Sequence, residues 1–363
     1  MNELAIEHLK SGLSINTHIG CPLGCKYCVL STIDNYEGRP QHCATPKELI
    51  DAILSKDSFY VKDQTPLYIN NRTDPFLPDV MDSTYDLLSL LSDYEIKSPI
   101  MLITKLSPDE RISHYFENLN ILFFYTYTGL PHGIDFNSDR RINENNLRQI
   151  YSYVPKKSRF LYVRPIIPGI NDDQLLFEDI VQRMGVHFDT ITVGGVRIFE
   201  KNKEQIYPLL GKEIGEVDSK HKYIESEFYH RIIPLSHKYN VNIVRHTSCA
   251  IARFMKSKVK LNYFKHANHC NSSCSNYDIC SSQSKSLADD KELQHQLDDF
   301  ISNRRNYEYS FEQNSIHIKG HAEQQLISFI QCTFGISAKA DAVKLCPSEQ
   351  SFLSKHDVNH AVR

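Results

Sequence analysis

Apolar residues along this chain gather into short runs rich in β-branched and aromatic side chains, separated by stretches whose apolar positions recur at helical spacing. The runs predict strands over 13–19, 66–71, 99–105, 121–128, 159–166 and 188–193, with a further strand over 241–245. The helices between them have legible starts. Thr45-Pro46 introduces Leu49, Ile50, Ile53 and Leu54 on one face. Ser107-Pro108-Asp109-Glu110 reads as a capping box with proline at the first helical position. Asn171-Asp172-Asp173 precedes Leu175, Leu176, Ile180 and Val181 at helical spacing. Strand–helix alternation repeated six times predicts an α/β fold: a parallel sheet with right-handed crossovers, closed or partly closed into a TIM-like (β/α)6 barrel.

The rhythm changes after residue 285. A polar helix over 287–304 leads into two short β-like runs, 307–311 and 315–319, and an amphipathic helix over 321–333. The expected organisation is therefore a partial barrel over 1–248, a cysteine-rich segment over 249–285 and a small α+β appendage over 286–363. In such folds chemistry collects on the loops that leave the C-terminal ends of the strands. Those loops begin at Gly20, Asn70, Thr104, Thr128, Arg164 and Gly194, and all six are expected at one mouth.

Composition narrows the classes. With 363 residues, 41% hydrophobic and 23% charged, the chain can bury a large core, so a disordered or fibrous protein is excluded. A net charge of -3 offers no global attraction for nucleic acid, though a local basic groove stays open. The N-terminus lacks the basic-then-apolar pattern of a signal peptide. No apolar run reaches the roughly 18 residues of a membrane helix, and a cytoplasmic home is expected. Thiols stay reduced there, so ten cysteines point to metal or catalysis.

Seven of the ten fall into two groups. Cys21, Cys25 and Cys28 form Cys-x3-Cys-x2-Cys directly after the first strand. Three thiolates suit a four-iron, four-sulfur cube with one iron left open; the alternative is a zinc site completed by Cys43 or His18. Cys249, Cys270, Cys274 and Cys280 make a second set, enough for a closed iron–sulfur cluster or a zinc ion, with His266 and His269 as alternate ligands. Arg245-His246 should face the mouth to orient substrate or cluster, with a surface pair as the other reading. Arg140-Arg141 is a candidate anion holder or a solvated helix start. Cys332 and Cys346 read as buried small hydrophobes.

The Cys-x3-Cys-x-aromatic-Cys loop resembles the signature of the radical S-adenosylmethionine superfamily. Further similar stretches cover most of residues 10–250: "LITKLSPDERISHY", "YTYTGLP", "RRINENNLRQIYSYV" and "YVRPIIPGIND" look like the branch containing spore photoproduct lyase. The resemblance implies a [4Fe-4S] cluster on Cys21, Cys25 and Cys28, with S-adenosylmethionine on the fourth iron. It implies that Tyr27 packs the adenine, that Lys105 holds the cofactor's carboxylate, and that Thr128 and Arg164 also face the cofactor. Where the superfamily often has Gly-Gly-Glu after strand two, this chain has Asn70-Asn71-Arg72-Thr73-Asp74. Asn71, Thr73 and Asp74 can accept the bond from the cofactor's amine. Gly194 and Gly195 would allow close backbone approach to the adenine or methionyl part, or make a simple tight turn. The implied second cofactor is an auxiliary [4Fe-4S] cluster or zinc, and the implied electron donor a flavodoxin or ferredoxin. Cys43 is a candidate hydrogen donor. Substrate classes rank as a small metabolite or natural product (sugar or nucleoside), then a peptide, then a nucleic-acid base. A zinc- or cluster-containing binding module is the non-enzymatic alternative.

Overall fold

The computed structural model describes residues 4–9, 12–32, 38–55, 58, 60–199, 202–211, 222–223, 226–256, 276, 291–304, 306–312, 315–330 and 337–344. The first strands are β1 (Ile6–Leu9) and β2 (Gly12–Ile15), an antiparallel pair. A separate ribbon joins β3 (His18–Ile19) to β4 (Gln41–His42). The expected strand 13–19 is thus split at Asn16-Thr17, whose polar groups leave the ladder to bond other loops.

Strand and helix then alternate as expected. Helix α1 (Pro46–Leu54) leads to β5 (Leu67–Ile69), α2 (Pro78–Asp93) to β6 (Pro99–Thr104), and a 3-10 turn (Glu110–Tyr115) to β7 (Asn120–Thr126). Helix α3 (Arg140–Tyr153) precedes β8 (Arg159–Ile166), α4 (Gln174–Arg183) precedes β9 (Thr190–Arg197), and α5 (Lys203–Leu210) follows. The short β10 (Lys222–Tyr223), α6 (Ser226–Tyr239), β11 (Asn242–Val244) and α7 (Thr247–Met255) complete the main body. β2, β5, β6, β7, β8, β9 and β11 pair in that order, all parallel. β10 lies antiparallel on the last two residues of β9. Each parallel neighbour is the next parallel strand of this sheet in sequence, the topology of a partial TIM-like barrel.

The caps explain the helix starts. Thr45 forms a full capping box with Glu48 ahead of α1, and Asp173 accepts the Leu176 amide ahead of α4. Three local expectations are corrected. Asp109, not Ser107, caps the turn after β6, and that turn is 3-10 rather than α. Leu54 is 40% exposed and Leu175 is 74% exposed, because each lies beyond the arc its helix presents to the sheet.

Both sheet faces are covered, which is why the strands read as continuous apolar runs. Leu67, Ile69, Leu102, Phe123, Leu161 and Val163 point outward into the layer beneath the helices. Tyr68, Met101, Leu122, Phe124 and Phe160 point inward, where α7 fills the barrel with Ala250, Ile251 and Met255.

The C-terminal part has its own core of Leu297, Phe300, Ile316, Ile318 and Phe329. A helix (Lys291–Leu297) widens into π turns (Asp298–Arg304) before strands Tyr309–Glu312 and Ser315–Glu323, helix Gln324–Phe329 and strand Ser337–Lys344. The last strand was not expected from sequence, where Ser337-Ala338-Lys339-Ala340 carries no β-branched signal. Helix Gln324–Phe329 packs against β1, covering an edge of the main sheet. Among the described residues no helix is long and apolar enough to cross a membrane.

Asn70 joins the ends of β2 and β5. Its buried Oδ1 accepts the Thr17 amide and hydroxyl at 2.8 and 3.0 Å, and its Nδ2 donates to Thr84 Oγ1 at 2.8 Å. Asn70→Ala strands these groups without partners, so a loss of about 2–4 kcal/mol is expected. Urea unfolding checks it: the midpoint should fall at constant m, and an unchanged midpoint would show that the bonds carry nothing.

Candidate active site at the barrel mouth

The loop after β5 bonds outward to its neighbours on both sides. Toward β2, the Gly20 amide donates to Arg72 O at 2.9 Å, the Thr73 hydroxyl donates to Gly20 O, and the Arg72 amide donates to Asn16 Oδ1 at 3.1 Å. The Arg72 guanidinium forms a nearly buried bidentate pair with Glu7 of β1. Gly20 sits at φ +105°, open to glycine and costly for any side chain. This fixes the entry to the cysteine loop. Its far side is held by the Lys26 amide, which donates to Ile134 O at 3.1 Å.

Cys21, Cys25 and Cys28 are all half-buried, and none of them is in a disulfide. Burial pushes the Cys21 thiol up to about 12 and Cys25 up to about 11, and it raises Cys28 as well. Among the described residues no three Cys, His, Asp or Glu side chains are arranged to ligate one metal ion. Of the groups that would complete a zinc site, Cys43 Sγ donates to Asn16 O at 2.9 Å and His18 Nδ1 lies 3.0 Å from Thr17 Oγ1. A four-iron cube takes each thiolate on a different iron, and three cysteines outside any disulfide on one bolted loop fit that group.

Toward β6, Asp74 acts as a strut. Its Oδ1 accepts the Phe76 amide at 3.0 Å and the Thr104 hydroxyl at 2.7 Å, and its Oδ2 accepts the Lys105 amide at 2.8 Å. Burial raises its pKa, against those donors. Thr73 and Asp74, expected to face the cofactor's amine, are thus engaged in joining loops. The half-buried Asn71 side chain makes no hydrogen bond to another described residue.

Lys105 projects into the mouth. Its Nζ lies 2.7 Å from Asp135 Oδ1 and 5.5 Å from the centroid of the Tyr27 ring. Asp135 Oδ2 accepts the Thr128 hydroxyl, and Cys25 Sγ donates to Oδ1 at 3.5 Å. Burial alone would raise Asp135, but the Lys105 charge and the surrounding donors hold its carboxyl below the usual range. Tyr27, Thr128, Lys105 and Cys25 were expected from sequence at the mouth. Asp135, the group they meet, was not: it stands in an irregular loop nine residues beyond the end of β7, with no motif to mark it.

The other side of the mouth is basic. A Cβ on Gly194 would stand 2.5 Å from Arg164 Nε, so the missing side chain is what lets this guanidinium lie on β9. Gly194, expected to approach the cofactor, is therefore covered by the chain itself, while Gly195 pairs with Ile166 in the ladder. Arg164 Nη1 donates to the Tyr162 hydroxyl and to Thr247 Oγ1 at 3.4 Å, and its Cζ lies 4.6 Å from the Tyr162 ring. Arg245 stacks on Tyr229, 4.2 Å from Cζ to the ring centroid. Arg141 is exposed at the start of α3, the solvated reading.

Cys249 is half-buried in the first turn of α7. Cys270, Cys274, Cys280, His266 and His269 lie outside the described residues, as do Cys332 and Cys346. Asn276, from between Cys274 and Cys280, is buried and donates to Cys249 O at 2.6 Å.

Among solved structures the chain resembles a point mutant of spore photoproduct lyase, with a TM-score of 0.50 and 12% identity over 68% of this chain and 79% of that one. A double mutant with bound AdoMet and dinucleoside spore photoproduct also matches, at TM-score 0.47 and 13% identity over 66% and 76% of the two chains. A complex of the lyase with dinucleoside spore photoproduct gives the same values. At such identities the first likeness shows a shared fold, the partial α/β barrel. No protein-family model matches the sequence, and neither does any curated protein.

Asp135→Asn should leave the Lys105 ammonium buried without its charge partner and cost about 3–5 kcal/mol. Adding Lys105→Met should recover most of that loss. Urea midpoints of the two single variants and the double variant test the coupling, and simple additivity would show that the pair is not one unit.

Proposed function

We propose that this protein is a radical S-adenosylmethionine enzyme. The carrying observation is the set of three half-buried cysteines, none in a disulfide, on the loop that follows β2 and β3, fixed by hydrogen bonds to the loop that positions Lys105, with Cys25 against Asp135. Cys21, Cys25 and Cys28 would hold a [4Fe-4S] cluster, and the open iron would take S-adenosylmethionine. When bound, this pair supplies reductive cleavage of the sulfonium and a 5′-deoxyadenosyl radical that takes hydrogen from a substrate.

The chain's own residues then have definite tasks. Lys105, already desolvated, exchanges the Asp135 carboxylate for that of the cofactor, a charge-assisted contact. Tyr27 lies beside it as an apolar wall, and Asn71 offers an amide oxygen to the cofactor's amine. Thr128 keeps Asp135 oriented. Cys43 takes no part in this reading, since its thiol points to Asn16 O. Cys249 with Cys270, Cys274 and Cys280 would form the auxiliary cluster, with zinc as the alternative ion; the Asn276 bond to Cys249 supports this by tying the two stretches together. The proposed substrate is a small metabolite or natural product, and the proposed electron donor a flavodoxin or ferredoxin.

Iron, acid-labile sulfide and zinc per chain after anaerobic reconstitution test the proposal, together with 5′-deoxyadenosine release under dithionite. About eight irons per chain are expected, falling to about four with release abolished when Cys21, Cys25 and Cys28 are all changed to Ala. About four irons falling to none, with zinc retained, would make the second site zinc. Zinc without iron and without release would leave a binding module.

A further inference from the structure

We infer that Arg164 and Arg245 form a substrate-anion site at the barrel mouth, and that the ligand it takes is a phosphate monoester. This rests on the proposed radical chemistry for its identity as a substrate site, but the binding site itself stands on geometry.

Most cations near the barrel mouth have a carboxylate. Lys105 faces Asp135, Arg72 faces Glu7, and Arg111 faces Asp82 and Asp109. Among the described residues, Arg164 and Arg245 have none. Arg164 reaches two neutral hydroxyls, Tyr162 and Thr247, and lies against an aromatic face. Arg245 lies against Tyr229. Neither faces an acidic group among the described residues, and both are half-buried. The two charges converge on one phenol: burial pushes Tyr229 up, while Arg164 and Arg245 both pull it down.

A guanidinium partly removed from water and left without a counter-ion is costly unless a ligand completes it. Stacking on a ring fixes its plane, and the N–H groups not given to Tyr162 and Thr247 remain to grip an oxyanion. Two such charges match the charge of about −1.5 to −2 on a phosphate monoester better than the single charge of a carboxylate. The Thr247 and Tyr162 hydroxyls, themselves 2.9 Å apart, add donors at the same place. Gly194 is part of the device, since any side chain there would displace Arg164. Lys105 and Arg164 lie two strands apart, about 10 Å at ordinary strand spacing. That separation lets cofactor and substrate anions be held at once.

Isothermal titration of the reconstituted full chain with inorganic phosphate tests the site. Saturable binding is expected, about tenfold or more weaker in Arg164→Gln and in Arg245→Gln. Gly194→Ala keeps every charge and should weaken binding similarly, which guards against a misfolded arginine variant. Acetate should bind more weakly than phosphate; the reverse order would overturn the phosphate assignment in favour of a carboxylate. The triple change of Cys21, Cys25 and Cys28 to Ala should retain phosphate binding, so failure of the radical reading and failure of the anion site are told apart. Absence of saturable binding, or binding untouched by all three mouth variants, would overturn the site. Displacement of phosphate by S-adenosylmethionine would overturn its assignment to substrate, giving the arginines to the cofactor.

Discussion

The relative position of the cysteine loop and Lys105 is set by the turn Asn70–Asp74, whose Asn70, Thr73 and Asp74 side chains bond to the segments on either side. Asn70 and Thr73 hold the β2 side, through Thr17 and Gly20. Asp74 holds the β6 side, through Thr104 and Lys105. Each bond is worth only about 0.5–1.5 kcal/mol net, but each buried group left unpaired costs about 1–3 kcal/mol. The turn therefore has little freedom to rearrange alone. Any displacement carries the three thiols and the lysine together, which is what a site built across separate loops requires.

From that turn outward the mouth divides by charge. Around Lys105 the account is closed: its ammonium meets Asp135, and the pair sits between Tyr27, Thr128 and Cys25. The Lys105 ammonium is already out of water, so of two groups meeting there only an incoming carboxylate would still have to shed its water. Around Arg164 and Arg245 the account is open, with aromatic faces and hydroxyls in place of acids. The same sheet thus carries a neutralised cation on one side of the mouth and, on the other, cations with no acid among the described residues.

Much of this was legible in the sequence because strands buried on both faces announce themselves as apolar runs. Where reading failed, the reasons are specific. Asn16 and Thr17 look like strand residues, but their side chains serve Arg72 and Asn70, so the strand ends at Ile15. Leu175 fits a helical period and still faces water, since period alone does not fix phase against the sheet. Gly194 signals a close approach, and the approach is real, but the group approaching is Arg164. Asp135 left no trace because ion pairs between loops depend on how far each loop folds back, which spacing does not encode.

Helix α7 supplies the remaining constraint. It enters at the mouth, where Thr247 meets Arg164, and ends near the opposite rim, where Arg253 Nε is 3.7 Å from Asp189 Oδ2. Nine residues span about 13 Å, enough to run the depth of the sheet's inner face. Ala250, Ile251, Met255 and Phe254 pack there on Phe160 and its neighbours, so the interior is core and the candidate site lies above it, between the loops. Cys249 belongs to this same helix. Its position is consequently set by barrel-core packing, and its carbonyl accepts the Asn276 amide from there.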